Sequence, residues 1–242
     1  MSEPLDVNLL LKAYAIGVFP MADDRDAPDI YWVEPRKRGI LPLDGFHVSR
    51  SLRKTLRSDR FQTTFNHAFA DVLAACAAPT DDRPGTWINR QIETAVLRLH
   101  ALGHAHSVET WFEGRLVGGL YGVSLGRAFF GESMFSRMTD ASKVALAHLV
   151  ARLRAGGFRL LDCQFQTPHL QSMGAIEISR ADYSVALSAA LSGAGADGAS
   201  GAEADLGALD RDAALPPSSP RATIVSGPIS GCRILQALTQ TS

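Results

Sequence analysis

The sequence predicts an α+β fold in which a mixed sheet combines an antiparallel meander with a parallel β-α-β unit. Apolar residues alternate with period two from residue 104 to 132, and two Gly-containing turn signals divide this stretch into three strands. A helical pattern follows over 140–155, and the apolar strand 158–163 comes after it. Because a strand–helix–strand crossover of this length brings its strands together in parallel, the last two strands are expected to lie side by side.

A smaller N-terminal α/β domain is expected over residues 1–60. Helices are predicted over 6–16 and 49–58, each beginning with a side chain that can cap it, and a short apolar stretch lies at 30–33.

The main domain is expected over residues 61–192. It begins with a strand at 61–65 and a helix capped by Asn66, followed by a helix that begins at Asn89. The meander and the crossover come next, and Ser179 begins a last helix.

The C-terminal composition changes sharply after the last helix. Residues 193–222 are rich in Gly, Ala, Ser, Asp and Pro, so a disordered low-complexity linker is predicted there. Residues 223–242 are expected to form a tail in which 232–238 dock as a short helix or strand.

Composition and charge exclude several classes of protein. The chain has 242 residues, 46% of them hydrophobic, and no apolar run approaches the roughly 18 residues of a membrane span. Three widely spaced cysteines do not resemble a disulfide framework, and the N-terminus lacks the features of a signal peptide, so a reduced, cytoplasmic protein is expected. A monomer is expected because nothing in the sequence demands a larger assembly. Net charge is −1, but residues 36–60 carry +6, which indicates either a phosphate-binding surface or a solvated helix face.

Two polar clusters follow the strands that are expected to lie in parallel. The first is residues 131–138, with Glu132 and Ser136 among them, and the second is 162–164, with Asp162 and Gln164. Parallel strands bring their carboxyl ends to one edge of a sheet, which predicts a reaction crevice there. The structural alternative is that these side chains only cap strand ends.

The motifs along the chain carry a resemblance to a known family, the bacterial leucyl/phenylalanyl-tRNA–protein transferases, which belong to the GNAT acyltransferase superfamily. They occur in family order across about residues 5–190 and are AYAIGVFP (13–20), YW (31–32) with EPR (34–36), HVSRS (47–51), GTWI (85–88), LH (99–100) with LGHAHS (102–107), LVGGLYG (116–122), GESMFSRM (131–138), ASK (141–143), DCQ (162–164), and GA (174–175) with EI (177–178).

The resemblance implies a GNAT-like sheet and an aminoacyltransferase that moves leucine, phenylalanine or methionine from aminoacyl-tRNA to the N-terminal Arg or Lys of proteins. This reaction feeds the N-end rule degradation pathway in the cytoplasm and needs no metal and no organic cofactor. The resemblance places acceptor recognition and catalysis on Glu132, Asp162 and Gln164, with Ser136 beside the acceptor.

The resemblance also implies sites for the donor. Trp32 and Trp87 match aromatic positions near the 3′-terminal adenosine of the tRNA. The residues implied for the aminoacyl pocket are Leu120, Phe129, Met134, Leu146, Leu149, Leu153 and Leu161, although helical spacing also fits core packing for most of them. The basic residues expected to contact the tRNA backbone are Arg36, Lys37, Arg38, Arg50, Arg53, Lys54 and Arg57.

The chemistry expected at the crevice is aminolysis of an activated ester. Glu132 would face the cationic side chain of the acceptor, because a buried carboxylate suits a guanidinium. Asp162 and Gln164 lie two apart on one strand and share a face, so the carbonyl of Gln164 could accept a hydrogen bond from the attacking amine. Two proton acceptors remain open, Asp162 and the terminal ribose hydroxyl.

Other functions compete with this interpretation. A CoA-dependent GNAT N-acyltransferase would need a Gly-rich turn before the crossover helix, and residues 136–143 contain no glycine. A non-catalytic module that binds the tRNA 3′ end would use only the basic helix and Trp87. A zinc site at His104 and His106 lacks further ligands, and Cys163 as a nucleophile is disfavoured because it alternates away from the crevice face.

Overall fold

The computed structural model describes residues 4–79, 85–192, 204–211 and 226–239. The described residues form strands β1 (Phe19–Met21), β2 (Tyr31–Val33), β3 (Lys37–Ile40), β4 (Gln62–Phe65), β5 (Ala105–Phe112), β6 (Arg115–Leu125), β7 (Ala128–Ser136), β8 (Leu160–Gln164), β9 (Ile176–Ser179) and β10 (Ser226–Ile229). They also form helices α1 (Val7–Ala15), α2 (Arg50–Arg57), α3 (Phe69–Ala77), α4 (Arg90–Ala101), α5 (Ala141–Ala155), α6 (Pro168–Gln171), α7 (Arg180–Leu191) and α8 (Gly231–Thr239), and a short 3₁₀ turn at Leu43–Gly45.

One large sheet organises the fold. Its eight strands have the order β10-β4-β5-β6-β7-β8-β3-β9, and β1 pairs with β2 in a separate two-stranded sheet. β5 pairs antiparallel with β6, and β6 pairs antiparallel with β7. β7 and β8, which helix α5 connects, pair in parallel. The predicted α+β class and the mixed sheet are therefore confirmed.

Helices cover both faces of the sheet, because successive residues of its central strands are apolar and bury side chains on opposite sides. Phe129 packs in the cluster that contains the apolar side of α5, whereas the next residue, Phe130, packs in the cluster that contains α1, α3, α4 and α7. Leu120 and Tyr121 of the neighbouring strand divide between the same two clusters. Successive side chains of β6 and β7 thus face opposite layers.

Most predicted helix starts are confirmed by their caps. The side chains of Asp6, Ser49, Asn89 and Ser179 each accept a hydrogen bond from a backbone N–H in the first turn of the helix that follows. Asn66 is the exception, because α3 begins three residues later and the side-chain oxygen of Asn66 accepts from the Ser107 N–H instead. That cap prediction is wrong, since a tertiary partner takes the side chain.

Two strand predictions also need correction. The third strand of the meander was expected to end at Glu132, but β7 continues to Ser136, because its last residues pair with residues 118–121 of β6. Strand β3 was not predicted. It lies between β8 and β9 and is antiparallel to both, so part of the basic segment 36–60 lies inside the sheet.

The C-terminal region differs in part from the prediction of disorder over 193–222. Residues 204–211 pack on the protein, with Leu206 and Leu209 buried and Asp210 paired to the buried Arg152 of α5. The prediction from composition is wrong for these residues, because two leucines and one ion pair provide enough tertiary contact. The rest of that segment, 193–203 and 212–222, lies outside the described residues.

Helix α8 follows in the tail and packs against α2 and α5. Ile234 and Leu235 are buried in the cluster that also contains Leu52 and Leu56 of α2. The division into domains stays a prediction. In the described part of the chain, no helix is long and apolar enough to cross a membrane.

Candidate active site

The candidate active site lies where β7 and β8 separate. Their parallel pairing ends at Phe130 opposite Asp162. Further along β7, Ser133 pairs with Tyr121 and Gly131 with Gly122, so Glu132 is the extra residue of a β-bulge. The bulge lets the Glu132 side chain point into the gap that opens beyond the last paired residues.

Glu132 and Gln164 meet across this gap, as the sequence predicted. The Gln164 Nε2 group donates to Glu132 Oε1 at 2.9 Å, and the Tyr14 hydroxyl of α1 donates to the same oxygen at 2.9 Å. Among the described residues, none donates to Glu132 Oε2, and none donates to Gln164 Oε1. One carboxylate oxygen and one amide oxygen are therefore left to accept hydrogen bonds from a ligand.

Burial sets the ionisation of Glu132. Loss of solvent raises the pKa of its carboxyl from the ordinary 4.5 to about 7, although the hydrogen bonds from Tyr14 and Gln164 act in the opposite direction. Burial and the neighbouring Glu132 carboxylate raise the pKa of Tyr14, so this hydroxyl stays protonated and remains a donor. The site thus holds a carboxylate that titrates near neutral pH.

Gln164 ends strand β8 in an unusual backbone conformation. Its φ is +60°, in the left-handed region that residues with a Cβ rarely adopt. Its backbone N–H donates to Asp162 Oδ1 at 2.8 Å. Gly39 of β3 lies against the chain just after it, where a Cβ would come within 2.7 Å of the Phe165 carbonyl carbon.

Asp162 is fully buried and fully occupied. Arg38 of β3 donates from Nε to Oδ1 at 2.9 Å and from Nη2 to Oδ2 at 2.7 Å. The Tyr183 hydroxyl of α7 also donates to Oδ2, at 2.7 Å. Burial and the charge of Asp162 raise the pKa of Tyr183, which keeps that hydroxyl protonated. Asp162 is therefore placed behind Gln164 as an anchor, and both of its oxygens are engaged.

Arg38 was expected to contact the tRNA backbone, and the structure corrects this. The Arg38 side chain is 2% exposed and its guanidinium is paired with Asp162, so phosphate cannot reach it. Burial acts to lower its pKa, but the hydrogen bonds and charge of Asp162 outweigh burial and raise it. A run of charged residues does not reveal which member turns inward.

The other basic residues of that group reach the surface. Arg36 and Lys37 are exposed, and on α2 the residues Arg50, Lys54 and Arg57 are exposed while Arg53 is half-buried. Helix α2 lies against the loop between β7 and α5, where the Thr55 hydroxyl donates to Asp140 at 3.2 Å. Helix α2 is thus attached to the loop that follows the bulged strand.

The residues expected to form the aminoacyl pocket share one hydrophobic cluster between the sheet and α5. Met134 is half-buried at its edge and the others are buried, namely Leu120, Phe129, Leu146, Leu149, Leu153 and Leu161. Their role as a pocket rather than as core stays a prediction.

The two tryptophans and Ser136 occupy different settings. Trp32 on β2 is 39% exposed, and Trp87 is half-buried against the cluster that contains α1 and α4. The Ser136 hydroxyl donates to the Met138 carbonyl and accepts from the Ser142 N–H, so it fastens the turn before α5. A role for Ser136 beside the acceptor stays a prediction.

Three residues that support the site were not predicted to do so: Tyr14, Tyr183 and Arg38. Arg38 had been expected to contact tRNA. Tyr14 lies within the AYAIGVFP motif, which was the available signal, while nothing local marks Tyr183. Each binds a carboxylate elsewhere in the chain: Tyr14 is 118 residues from Glu132, Tyr183 is 21 residues from Asp162, and Arg38 is 124 residues from Asp162.

The competing chemistries find little support in the described residues. His106 is buried between Asn66 and Ser124 as hydrogen-bonding partners, and burial lowers its pKa to about 3. Burial also raises the pKa of the Cys163 thiol, which leaves it protonated and a poor nucleophile. No group of three His, Cys, Asp or Glu residues suited to a metal occurs within the described ranges.

The family models and the curated relatives that match this chain carry the same family name. The family model described as "Leucyl/phenylalanyl-tRNA protein transferase" matches residues 40–188, and the model for the N-terminal domain of that family matches residues 3–36. A leucyl/phenylalanyl-tRNA--protein transferase of Rhizorhabdus wittichii is 64% identical over 99% of this chain and 100% of its own length. One of Zymomonas mobilis is 62% identical over 79% of this chain and 72% of its own length.

A solved structure, "The structure of L-PGS from Bacillus licheniformis", is 12% identical and covers 66% of this chain and 53% of its own. Its TM-score of 0.37 is too low to support an argument about fold.

Proposed function

The chain belongs to the leucyl/phenylalanyl-tRNA–protein transferase family, and we propose that it transfers leucine, phenylalanine or methionine from aminoacyl-tRNA to the N-terminal Arg or Lys of proteins. The observation that carries the proposal is the contact between Glu132 and Gln164 at the point where β7 and β8 separate. One oxygen of each side chain is left to accept hydrogen bonds, which suits an acceptor that brings a guanidinium or ammonium and an amine.

Glu132 recognises the cationic side chain of the acceptor. Tyr14 and Gln164 occupy Oε1, so Oε2 is the atom available to a guanidinium. A cation in the site stabilises the ionised carboxylate and lowers its pKa from about 7. Binding of an Arg or Lys side chain is thereby coupled to ionisation of Glu132.

Gln164 positions the attacking amine. Its Nε2 group donates to Glu132, so the amide oxygen Oε1 is the atom that accepts a hydrogen bond from the attacking amine. The neutral α-amine attacks the ester carbonyl, an amide C–N bond forms, and the ester C–O bond to the tRNA ribose breaks. One proton must leave the amine as this happens.

The proton passes to the terminal ribose of the tRNA and not to Asp162. Asp162 Oδ1 accepts from Arg38 and Gln164, and Oδ2 accepts from Arg38 and Tyr183, so a proton on this carboxylate would break a buried ion pair. The leaving ribose oxygen needs a proton at the end of the reaction, and the amine supplies it. No metal and no organic cofactor takes part in this scheme.

The donor occupies the other side of the crevice. The hydrophobic cluster around Phe129, Leu149 and Leu161 receives the aminoacyl side chain. The exposed Trp32 and the half-buried Trp87 stack on the terminal adenosine, and the basic residues of α2 contact backbone phosphates. The protein acts as a cytoplasmic monomer in the N-end rule pathway.

The arrangement of the sheet is proposed to be GNAT-like. Support comes from the order of elements: an antiparallel meander, the helix α5, and a strand parallel to the last strand of the meander. A CoA-dependent acyltransferase of this superfamily is the alternative, and the glycine-free segment 136–143 counts against it.

A transfer assay tests the proposal. Purified protein is incubated with [¹⁴C]leucyl-tRNA and a peptide beginning with Arg, and a peptide beginning with Glu is the matched control. Label is expected on the Arg peptide only. Intact tRNA binding without transfer would support a non-catalytic module, and micromolar binding of acetyl-CoA would support the CoA-dependent alternative.

A further inference from the structure

The backbone at Gln164 is held in place by its neighbour Asp162. A φ of +60° is costly for a residue with a Cβ and persists only when the surroundings enforce it. Here the Gln164 N–H donates to Asp162 Oδ1 at 2.8 Å, a charge-assisted hydrogen bond inside the protein. The direction of the Gln164 side chain, which reaches Glu132, therefore depends on where the Asp162 carboxylate lies.

Asp162 is in turn fixed by residues from two other elements. Arg38 holds both oxygens, and its third nitrogen, Nη1, donates to the Gly17 carbonyl at the end of α1 at 2.8 Å. The guanidinium lies between two aromatic rings, 4.6 Å from the centre of Phe19 and 4.5 Å from the centre of Tyr183. Rotation of the carboxylate would break several of these interactions at once.

We infer that Arg38 and Tyr183 are positioning residues for the transfer reaction, which hold Asp162 so that Gln164 keeps its left-handed backbone and its amide faces the acceptor amine. The inference rests on the proposed function. Each of the three guanidinium nitrogens of Arg38, and the hydroxyl of Tyr183, is engaged inside the protein. Both residues thus act through Asp162 and Gln164 rather than on the substrates.

Tyr183→Phe is the sharpest test because it removes one hydroxyl and keeps the ring that packs on Arg38. We expect kcat for transfer to fall about tenfold, with KM for charged tRNA within about twofold of wild type. The matched control is Ser226→Ala, which deletes a hydroxyl bonded at 2.9 Å to a second buried arginine, Arg152. That variant is expected to keep kcat within about twofold.

A comparable pair tests the guanidinium. Arg38→Lys keeps the charge but loses the planar fork, and Arg152→Lys makes the same change in the Arg152–Asp210 pair. Both variants are expected to lose thermal stability. Only Arg38→Lys is expected to lower kcat, by about tenfold or more at unchanged KM for tRNA.

Amide hydrogen exchange at Gln164, followed by NMR, gives a readout that does not depend on activity. Exchange is expected to be about tenfold faster in Tyr183→Phe than in wild type and unchanged in Ser226→Ala. If the wild type transfers nothing, the proposed function fails, and exchange still tests the network. Wild-type kcat in Tyr183→Phe, an equal loss of kcat in Ser226→Ala, or unchanged exchange at Gln164 would each overturn the inference.

Discussion

Replacing Glu132 by glutamine should make the protein more stable while it impairs the use of Arg acceptors. Burial raises the pKa of this carboxyl from the ordinary 4.5 to about 7. Since one pH unit corresponds to about 1.4 kcal/mol, the ionised side chain costs the folded state about 3 kcal/mol above pH 7. Glu132→Gln removes that cost and retains a side chain of similar shape.

The sign of this effect depends on pH in a defined way. Because the folded-state pKa is raised, the contribution of Glu132 to stability is fully present below pH 4.5 and is lost as the pH rises through about 7. The stabilisation by Glu132→Gln is therefore expected to be less than about 1 kcal/mol at pH 5 and about 3 kcal/mol at pH 8. The second value corresponds to a rise in Tm of about 6–12 °C.

Activity should change in the opposite direction. Truncation of one partner in a desolvated charge pair costs about 2–5 kcal/mol, so kcat/KM for an Arg-starting peptide should fall about 30-fold or more. Binding of charged tRNA should change less, because in the proposed mechanism the Glu132 carboxylate binds the acceptor and not the donor. A gain in stability together with a loss of activity is the pattern expected of a group retained for function.

Thermal and urea unfolding at pH 5 and pH 8 measure the change in stability, and transfer kinetics measure the change in activity. Glu109→Gln is the matched control: this carboxylate is 0% exposed but accepts hydrogen bonds from Thr64, Ser107 and two backbone N–H groups. Glu109→Gln leaves donors without an acceptor and should lose roughly 1–3 kcal/mol. A loss of stability in Glu132→Gln at pH 8, or an equal loss of tRNA binding and peptide use, would refute the reasoning.

The basic surface, the acceptor site and the C-terminal region give three further predictions. The double variant Arg53→Ala with Lys54→Ala should raise KM for charged tRNA several-fold. The slope of log KM against log salt concentration should fall by about 0.7–0.9 for each phosphate that is no longer neutralised. Arg98→Ala, at an exposed arginine on α4, is the control, and an unchanged slope in the double variant would remove α2 from the tRNA site. KM for Arg-starting peptides should rise as the pH falls below about 7, where the Glu132 carboxyl protonates, and a flat profile between pH 6 and 8 would contradict this. Asp210→Asn should lower stability by roughly 3 kcal/mol in urea unfolding, because it removes the charge partner of the buried Arg152, while transfer activity stays near wild type.

Local signals in the sequence predicted much of the fold. Side chains that cap helices lie within three residues of the N–H groups they accept from, so Asp6, Ser49, Asn89 and Ser179 could be assigned without tertiary information. The contact between Glu132 and Gln164 was also predictable, because a crossover helix places two strands in parallel and brings their ends to one edge. The bulge that aims Glu132 into the gap was not, because it depends on pairing with β6.

Hydrophobic periodicity and short-range hydrogen bonds were enough to establish the order and type of most elements, the mixed sheet, and the strand ends that carry the crevice. They could not establish which cation is buried and which carboxylate stays open. Arg38 and Asp162 are 124 residues apart, and nothing near either one in the chain distinguishes that pair from the exposed charges around it. Partner choice over such distances is a property of the packed sheet, which inserts β3 beside β8 and leaves Glu132 Oε2 without a donor among the described residues.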